Sequence, residues 1–303
     1  MLAQTHRHPT RVHGRITLTI AVALVALFAS LSVASQAMAT PKGEFAVFAD
    51  CPLSNPALNG CLVAKTESGE VKLGKQTVPI KNTITLQGGF IEDRVTEVQT
   101  FVGAADGNTL SKTPQPVPGG LAGLINCGEI SLFLVRAACE LTFENGATGV
   151  NATTELAAPA SSIGLNENNL LTETGTALSL PVKVHLENPF LGSECYIGSN
   201  THPLILNLTT GTTSPPAPNV PIKGKTGALE SNEEGDLLTI SNNTLVDNAF
   251  AAPGAKGCDG LFAFLIDPLI NAKIGLPATA GHNTAILNNT LKQAGAKAVR
   301  NHE

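Results

Sequence analysis

The stretch that decides the fold is Leu178-Ser179-Leu180-Pro181-Val182-Lys183-Val184-His185-Leu186. Leu178, Leu180, Val182, Val184 and Leu186 occupy every second position, the period of a strand with one buried face. His185 then falls on the opposite, polar face. Working outward, Leu204–Leu208 and Leu237–Val246 read as further strands. Upstream, Cys61–Glu67, Val71–Ile80 and Lys81–Leu86 are short β-favouring runs separated by turn residues, Ser68-Gly69 among them. Cys139, Leu141 and Phe143 alternate with polar neighbours up to Asn145-Gly146, a dipeptide suited to a tight hairpin, with Val150–Ala157 as the returning strand.

Two segments read as helices instead. Asp267-Pro268 fits an N-cap and first helical position, and Gly275 and Pro277 fit the exit. Leu121–Ile125 and Leu132–Ala138 form a weaker pair. Thr212–Pro221, with Pro215, Pro216 and Pro218, reads as a loop. The expected class is mainly β: an antiparallel β-sandwich, or two of them, with one or two short helices. Asn55-Pro56, Cys61, Asn108-Thr109-Leu110 and Pro118-Gly119 recur in order as Asn188-Pro189, Cys195, Asn243-Thr244-Leu245 and Pro253-Gly254. That echo frames two tentative duplicated β-units, 44–165 and 175–298.

The first 39 residues read as an export leader. His6, Arg7, His8, Arg11, His13 and Arg15 precede an apolar run from Ile16 to Ser35, and Ala37-Met38-Ala39 offers small residues at a cut before Thr40. Residues 40–303 are then the mature part, with no membrane span expected after cleavage. The leader carries Arg7, Arg11 and Arg15 and no acid, so 16 of the 19 basic residues remain against all 24 acids, a mature charge of −8. With no basic cluster, phosphate-backbone binding and hence a nucleic-acid partner are excluded.

All six cysteines lie in the mature part, and an even count in an exported chain favours disulfides. Pairing neighbours gives Cys51–Cys61, Cys127–Cys139 and Cys195–Cys258. A zinc site is the rival, but zinc prefers closer cysteine spacing than any here.

Chemistry-bearing motifs are sparse. Gly224-Lys225-Thr226 ends like a phosphate loop, but Asn219 stands where its first glycine belongs. Leu276–Ala280 resembles a sortase signal, yet no hydrophobic tail follows. Neither a Gly-x-Ser-x-Gly elbow nor a His-Glu-x-x-His pair occurs. His185, His202, His282 and His302 are dispersed, and His185 reads as a surface residue. Asn232-Glu233-Glu234-Gly235-Asp236 reads as a solvated hairpin turn, because Leu237 and Leu238 supply no oxygen ligands for calcium. Tyr196 is the single Tyr and Trp is absent, which argues against sugars stacked on aromatic faces. Asn151, Asn207, Asn242 and Asn288 begin glycosylation sequons.

The stretches 77–90 (TVPIKNTITLQGGF), 143–167 (FENGATGVNATTELAAPASSIGLNE) and 188–200 (NPFLGSECYIGSN), with the Cys51/Cys61 loop and the leader, resemble a group of secreted actinobacterial proteins. The resemblance implies export and brings no activity, ligand or catalytic residue with it. The expected function is therefore a secreted or envelope-associated binding or structural protein, with no cofactor, no metal and an extracellular or envelope partner. The alternative is a secreted hydrolase whose site assembles from dispersed residues.

Overall fold

A computed structural model describes residues 40–93 and 99–303; the expected leader lies outside them. Strands β1 (Gly60–Leu73), β2 (Gln76–Pro79), β3 (Ile84–Glu92) and β4 (Gln99–Gly103) come first. β5 (Gln115–Pro116), helices α1 (Gly120–Leu124) and α2 (Phe133–Glu144), β6 (Asn151–Leu156), β7 (Gly164–Leu165) and α3 (Glu167–Thr172) follow. Then come β8 (Leu178–Glu187), β9 (Tyr196–Ile197), β10 (Leu204–Leu208), β11 (Ala228–Ser231), β12 (Leu237–Asp247) and β13 (Ala255–Lys256). Helix α4 (Ala263–Ile274), β14 (Thr284–Gly295) and α5 (Ala296–Asn301) complete the described fold.

The strands form two antiparallel sheets arranged as a sandwich. The first runs β11-β12-β14-β1-β3-β4, with β2 also on β1; the second runs β13-β9-β8-β6-β5, with β7 and β10 also on β8. Alternation explains the core between them. Leu178, Leu180, Val182 and Leu186 of β8 point into the same cluster as Leu62 of β1, Leu245 of β12 and Leu291 of β14. Ile266, Ile270 and Ile274, one helical turn apart, bring α4 onto this core.

Part of the outer face of the first sheet, around the start of β1, is covered as well. Cys61 and Val63, the outward neighbours of Leu62, pack with Phe45, Phe48, Leu237 and Val299 in a second cluster. The start of β1 is therefore buried on both faces. Covering Phe45 and Phe48 contributes about 2–3 kcal/mol each.

All three disulfides join neighbouring cysteines: Cys51–Cys61, Cys127–Cys139 and Cys195–Cys258. β6, β8, β10 and β12 fall within one residue of the expected strands Val150–Ala157, Leu178–Leu186, Leu204–Leu208 and Leu237–Val246.

Three expectations are corrected. Cys139–Phe143 is helical, part of α2, because Val135 and Cys139 lie one turn apart on a buried face and Cys139 is bonded to Cys127. Asn145-Gly146 thus follows a helix, and β6 pairs with β8 instead. Ser68-Gly69 lies inside β1 at a bulge, where a Cβ on Gly69 would come within 2.0 Å of the Ile286 carbonyl. The actual hairpin turn falls at Gly74-Lys75, between Leu73 and its partner Gln76. Finally, α4 starts at Ala263 with Pro268 inside it. The carbonyl this frees belongs to exposed Phe264, where solvent satisfies it.

Each sheet takes strands from both tentative halves, so the two stretches interleave. What recurs locally is a turn. Asn55 and Asn188 each accept from the backbone two residues on (3.0 and 2.8 Å), and their carbonyls accept from Leu58 and Leu191. Each turn feeds a disulfide cysteine at the start of a strand, Cys61 or Cys195. No helix among the described residues is long and apolar enough to cross a membrane.

Candidate functional site

Register places a row of polar side chains on the outer face of the second sheet. His185 of β8 lies opposite Thr153 of β6 and Tyr196 of β9, and Tyr196 opposite Lys256 of β13. One pair further along, Lys183 faces Glu155. Side chains so placed are within contact reach. The His185 and Tyr196 rings stack at 4.4 Å and 13°. The Lys183 ammonium sits 4.5 Å above the Tyr196 ring and 3.6 Å from the Glu155 carboxylate. His185 Nδ1 lies 3.4 Å from Glu187.

This row is more covered than a surface strand face. The His185 side chain is 17% exposed. Its Nε2, and the Thr153 hydroxyl opposite, are buried and without a hydrogen-bond partner among the described residues. Burial, then the charges of Glu155, Glu194 and Glu187, push the Tyr196 phenol above its ordinary value, so it is a neutral hydroxyl donor at neutral pH.

Tyr196 and Lys183 form one wall of an open cleft of about 750 Å³. Ser199 and His202, on a tight turn, form another, and the backbone of Gly254–Gly257 the third. That third wall is rigidly held. The Asn271 amide of α4 bonds both the N–H and the carbonyl of Ala255 (2.7 and 2.9 Å). The Asp267 carboxylate accepts from Gly257 and Cys258 (3.0 and 2.8 Å). Asp267, expected to cap its helix, thus tethers β13, while Cys195–Cys258 staples the same segment to β9. A Cβ on Gly257 would sit 2.3 Å from the Glu194 carbonyl. On the turn, the Thr201 hydroxyl is 3.1 Å from His202 Nδ1 and 3.2 Å from the Ser199 hydroxyl.

The other expected residues are scattered. Cys51–Cys61 lies under the outer cluster of the first sheet, Cys127–Cys139 ties down α2, and only Cys195–Cys258 borders the cleft. His282 lies 3.3 Å from the Thr279 hydroxyl, and His302 stacks on Phe45. Among the described residues no three His, Cys, Asp or Glu converge as a metal site. Asn232 closes the β11–β12 turn by accepting from Asp236 and Leu237. Lys225 pairs with Thr244 in extended backbone, with no phosphate-cradling loop.

Sequence reasoning missed two features. Phe133, Leu134 and Leu141 on α2, Leu261 in the turn before α4 and Phe264 in its first turn stand exposed. For the α4 end the signal is the unbroken apolar run from Leu261 to Ile266, longer than one helix face can bury. The second is Asp247, a buried carboxylate in a small polar pocket, accepting from Asn207 and Ala249 (2.7 and 2.8 Å).

Burial holds the Asp247 carboxyl above its ordinary 3.8, with the two backbone donors opposing. The folded state then binds this proton more tightly than the unfolded chain, so stability falls as pH rises from about 3.8 through the raised value. Asp247→Asn removes that dependence. Urea unfolding of both proteins should show the wild type losing ground to the variant between about pH 4 and neutrality; a constant difference would refute it.

Compared with protein-family models, curated proteins and solved structures, the chain matches none.

Proposed function

We propose that this chain is an exported, non-enzymatic binding protein that works outside the cell or at its envelope, and that the Tyr196 cleft is its contact site. The three disulfides and the leader pattern support export. The observation that carries the binding reading is how the charged groups are used. Lys183 is paired with Glu155 and His185 with Glu187, and both basic groups contact the Tyr196 ring. These groups are occupied with one another and build the wall itself. The Tyr196 hydroxyl, Glu194 and Lys256 remain at the rim for a partner.

One observation favours a hydrolase instead. The Thr201–His202 contact puts a hydroxyl beside the imidazole of His202, which lines the cleft, the minimal nucleophile–base pair. Among the described residues no carboxylate bonds His202 to orient it.

The test is retention of purified mature protein on fractionated envelope components: wall, polysaccharide and lipid. Tyr196→Ala with Lys256→Glu should weaken retention about tenfold or more, the size of an interface anchor. Retention unchanged by the pair would sink the cleft assignment. Turnover of an ester, peptide or glycoside panel, abolished by Thr201→Ala, would replace binding by hydrolysis.

A further inference from the structure

Behind the cleft, on the other side of the same strands, the sandwich is incompletely filled. Val184 and Ile197, the inward neighbours of Lys183 and Tyr196, line a slot of about 70 Å³ between the sheets. Ala152 of β6 is beside them; Val71, Val78 and Ile84 of β1–β3 stand opposite. Val71, Val78, Ile84 and Val184 are only partly buried, so apolar side chains ring a mouth that reaches solvent.

Of the 14 lining residues, 11 are aliphatic and three polar: Gln76, Gln115 and Thr154. Gln115 is fully engaged, accepting from Lys81 and Asn82 and donating to Asn82 and Thr113. Gln76 uses only its amide N–H, toward the Thr77 and Pro118 carbonyls. The Gln76 carbonyl and the Thr154 hydroxyl accept or donate nothing among the described residues, so two uncharged polar groups remain free at the slot.

We infer that this slot takes the end of a neutral alkyl chain, as in a fatty alcohol or an ester-linked acyl tail. Three properties select that class. An aliphatic lining gains from burying methylenes. With no charged residue in the lining, an ionised head would lose water without gaining a partner. The volume is about half the roughly 150 Å³ that admits a benzene ring, so a slim chain fits where a ring does not. The two free polar groups suit a hydroxyl or ester oxygen. The slot is separate from the Tyr196 cleft, so this inference stands whether or not the cleft binds a partner.

The experiment is calorimetric titration of the mature protein with straight-chain 1-alkanols from butanol to decanol, with matching alkanoates at neutral pH, and with benzene. Methyl resonances of Val184 and Ile197 report where each binds. Affinity should rise about fourfold per methylene until the slot is full and then level off. Alkanoates of equal length should bind about tenfold or more weaker, and benzene should leave the methyl signals unmoved. Ala152→Leu fills the slot and should abolish binding while the fold is retained by circular dichroism. Val78→Ala widens it and should move the plateau to a longer chain, an independent check if Ala152→Leu fails to fold. Binding without chain-length dependence, equal affinity for alkanoates, shifts on adding benzene, or undiminished binding by a folded Ala152→Leu would each overturn the inference.

Discussion

Replacing Cys195 and Cys258 together by alanine should lower the unfolding free energy by about 4 kcal/mol, against about 3 kcal/mol for either other disulfide. The ranking follows from loop length. Cys195–Cys258 closes a separation of 63 residues, the others 10 and 12. A crosslink removes more unfolded-state freedom the longer the loop it closes. Alanine is the right replacement, because both sulfurs are fully buried and a serine hydroxyl would add an unmet polar group. The loss should also be felt locally. Without the bridge, β13 is held at β9 by a two-residue ladder and by its bonds to Asp267 and Asn271. Urea unfolding of the three double variants gives the ranking, and hydrogen exchange at Lys256 gives the local effect. A smaller loss for Cys195/Cys258 than for the short loops would show that these side-chain tethers, not the bridge, secure the cleft wall.

The second large effect is expected at Asn289. Its side chain sits inside the sandwich, opposite a bulge in β1 on one side and a bulge in β12 on the other. It accepts from the Thr66 hydroxyl and donates to the Leu287 carbonyl and, at 3.5 Å, to the Asn243 side chain. Asn243 passes the chain on to the carbonyls of Lys225 and Thr226. Thr66, Asn243 and Asn289 are all buried. Asn289→Ala leaves both neighbours short of a partner in a water-poor interior and should cost about 3 kcal/mol. Because the groups form one network, Asn243→Ala and Asn289→Ala together should cost less than the sum by about 1 kcal/mol or more. Strict additivity in the double-mutant cycle would show that the amides act separately.

The β character was legible wherever one face of a strand is buried and the other is not. β8 and β10 carry that alternation in their own residues, so local reading sufficed. It failed where a non-local bond decides. Cys139-Glu140-Leu141-Thr142-Phe143 alternates like a strand, but the Cys127 crosslink and the Val135–Cys139 spacing commit it to α2, with Leu141 turned outward. Ser68-Gly69 carries the composition of a turn. The glycine is needed because β14 approaches closely at a bulge, a fact about residues more than two hundred positions away. Asp267-Pro268 has the form of a helix start, yet its carboxylate is spent on β13.

The candidate site divides in the same way. That His185 belongs to the polar face of β8 was readable from period two. Its stacking on Tyr196 and its cover were not, because they depend on which strand lies alongside and in what register. The slot leaves no trace in the sequence, since Val184 and Ile197 read as ordinary core and only the separation of the sheets makes a space.

The pairing of β1 with β14 sets the order in which this molecule can assemble. Gly60 lies opposite Gly295 and Lys72 opposite Thr284, and these two strands are the middle of the first sheet. The hairpin of β1 and β2 can close early, as can β8 with β10. The centre of the first sheet must wait for residues near 284–295, and such distant contacts carry a large loop-closure cost before they return any stability. High contact order of this kind predicts slow folding: β3 can pair early with β1, but β12 lacks its central neighbour, and β1 its second partner, until β14 arrives. If the chain is exported as proposed, late completion would keep it threadable until β14 has emerged.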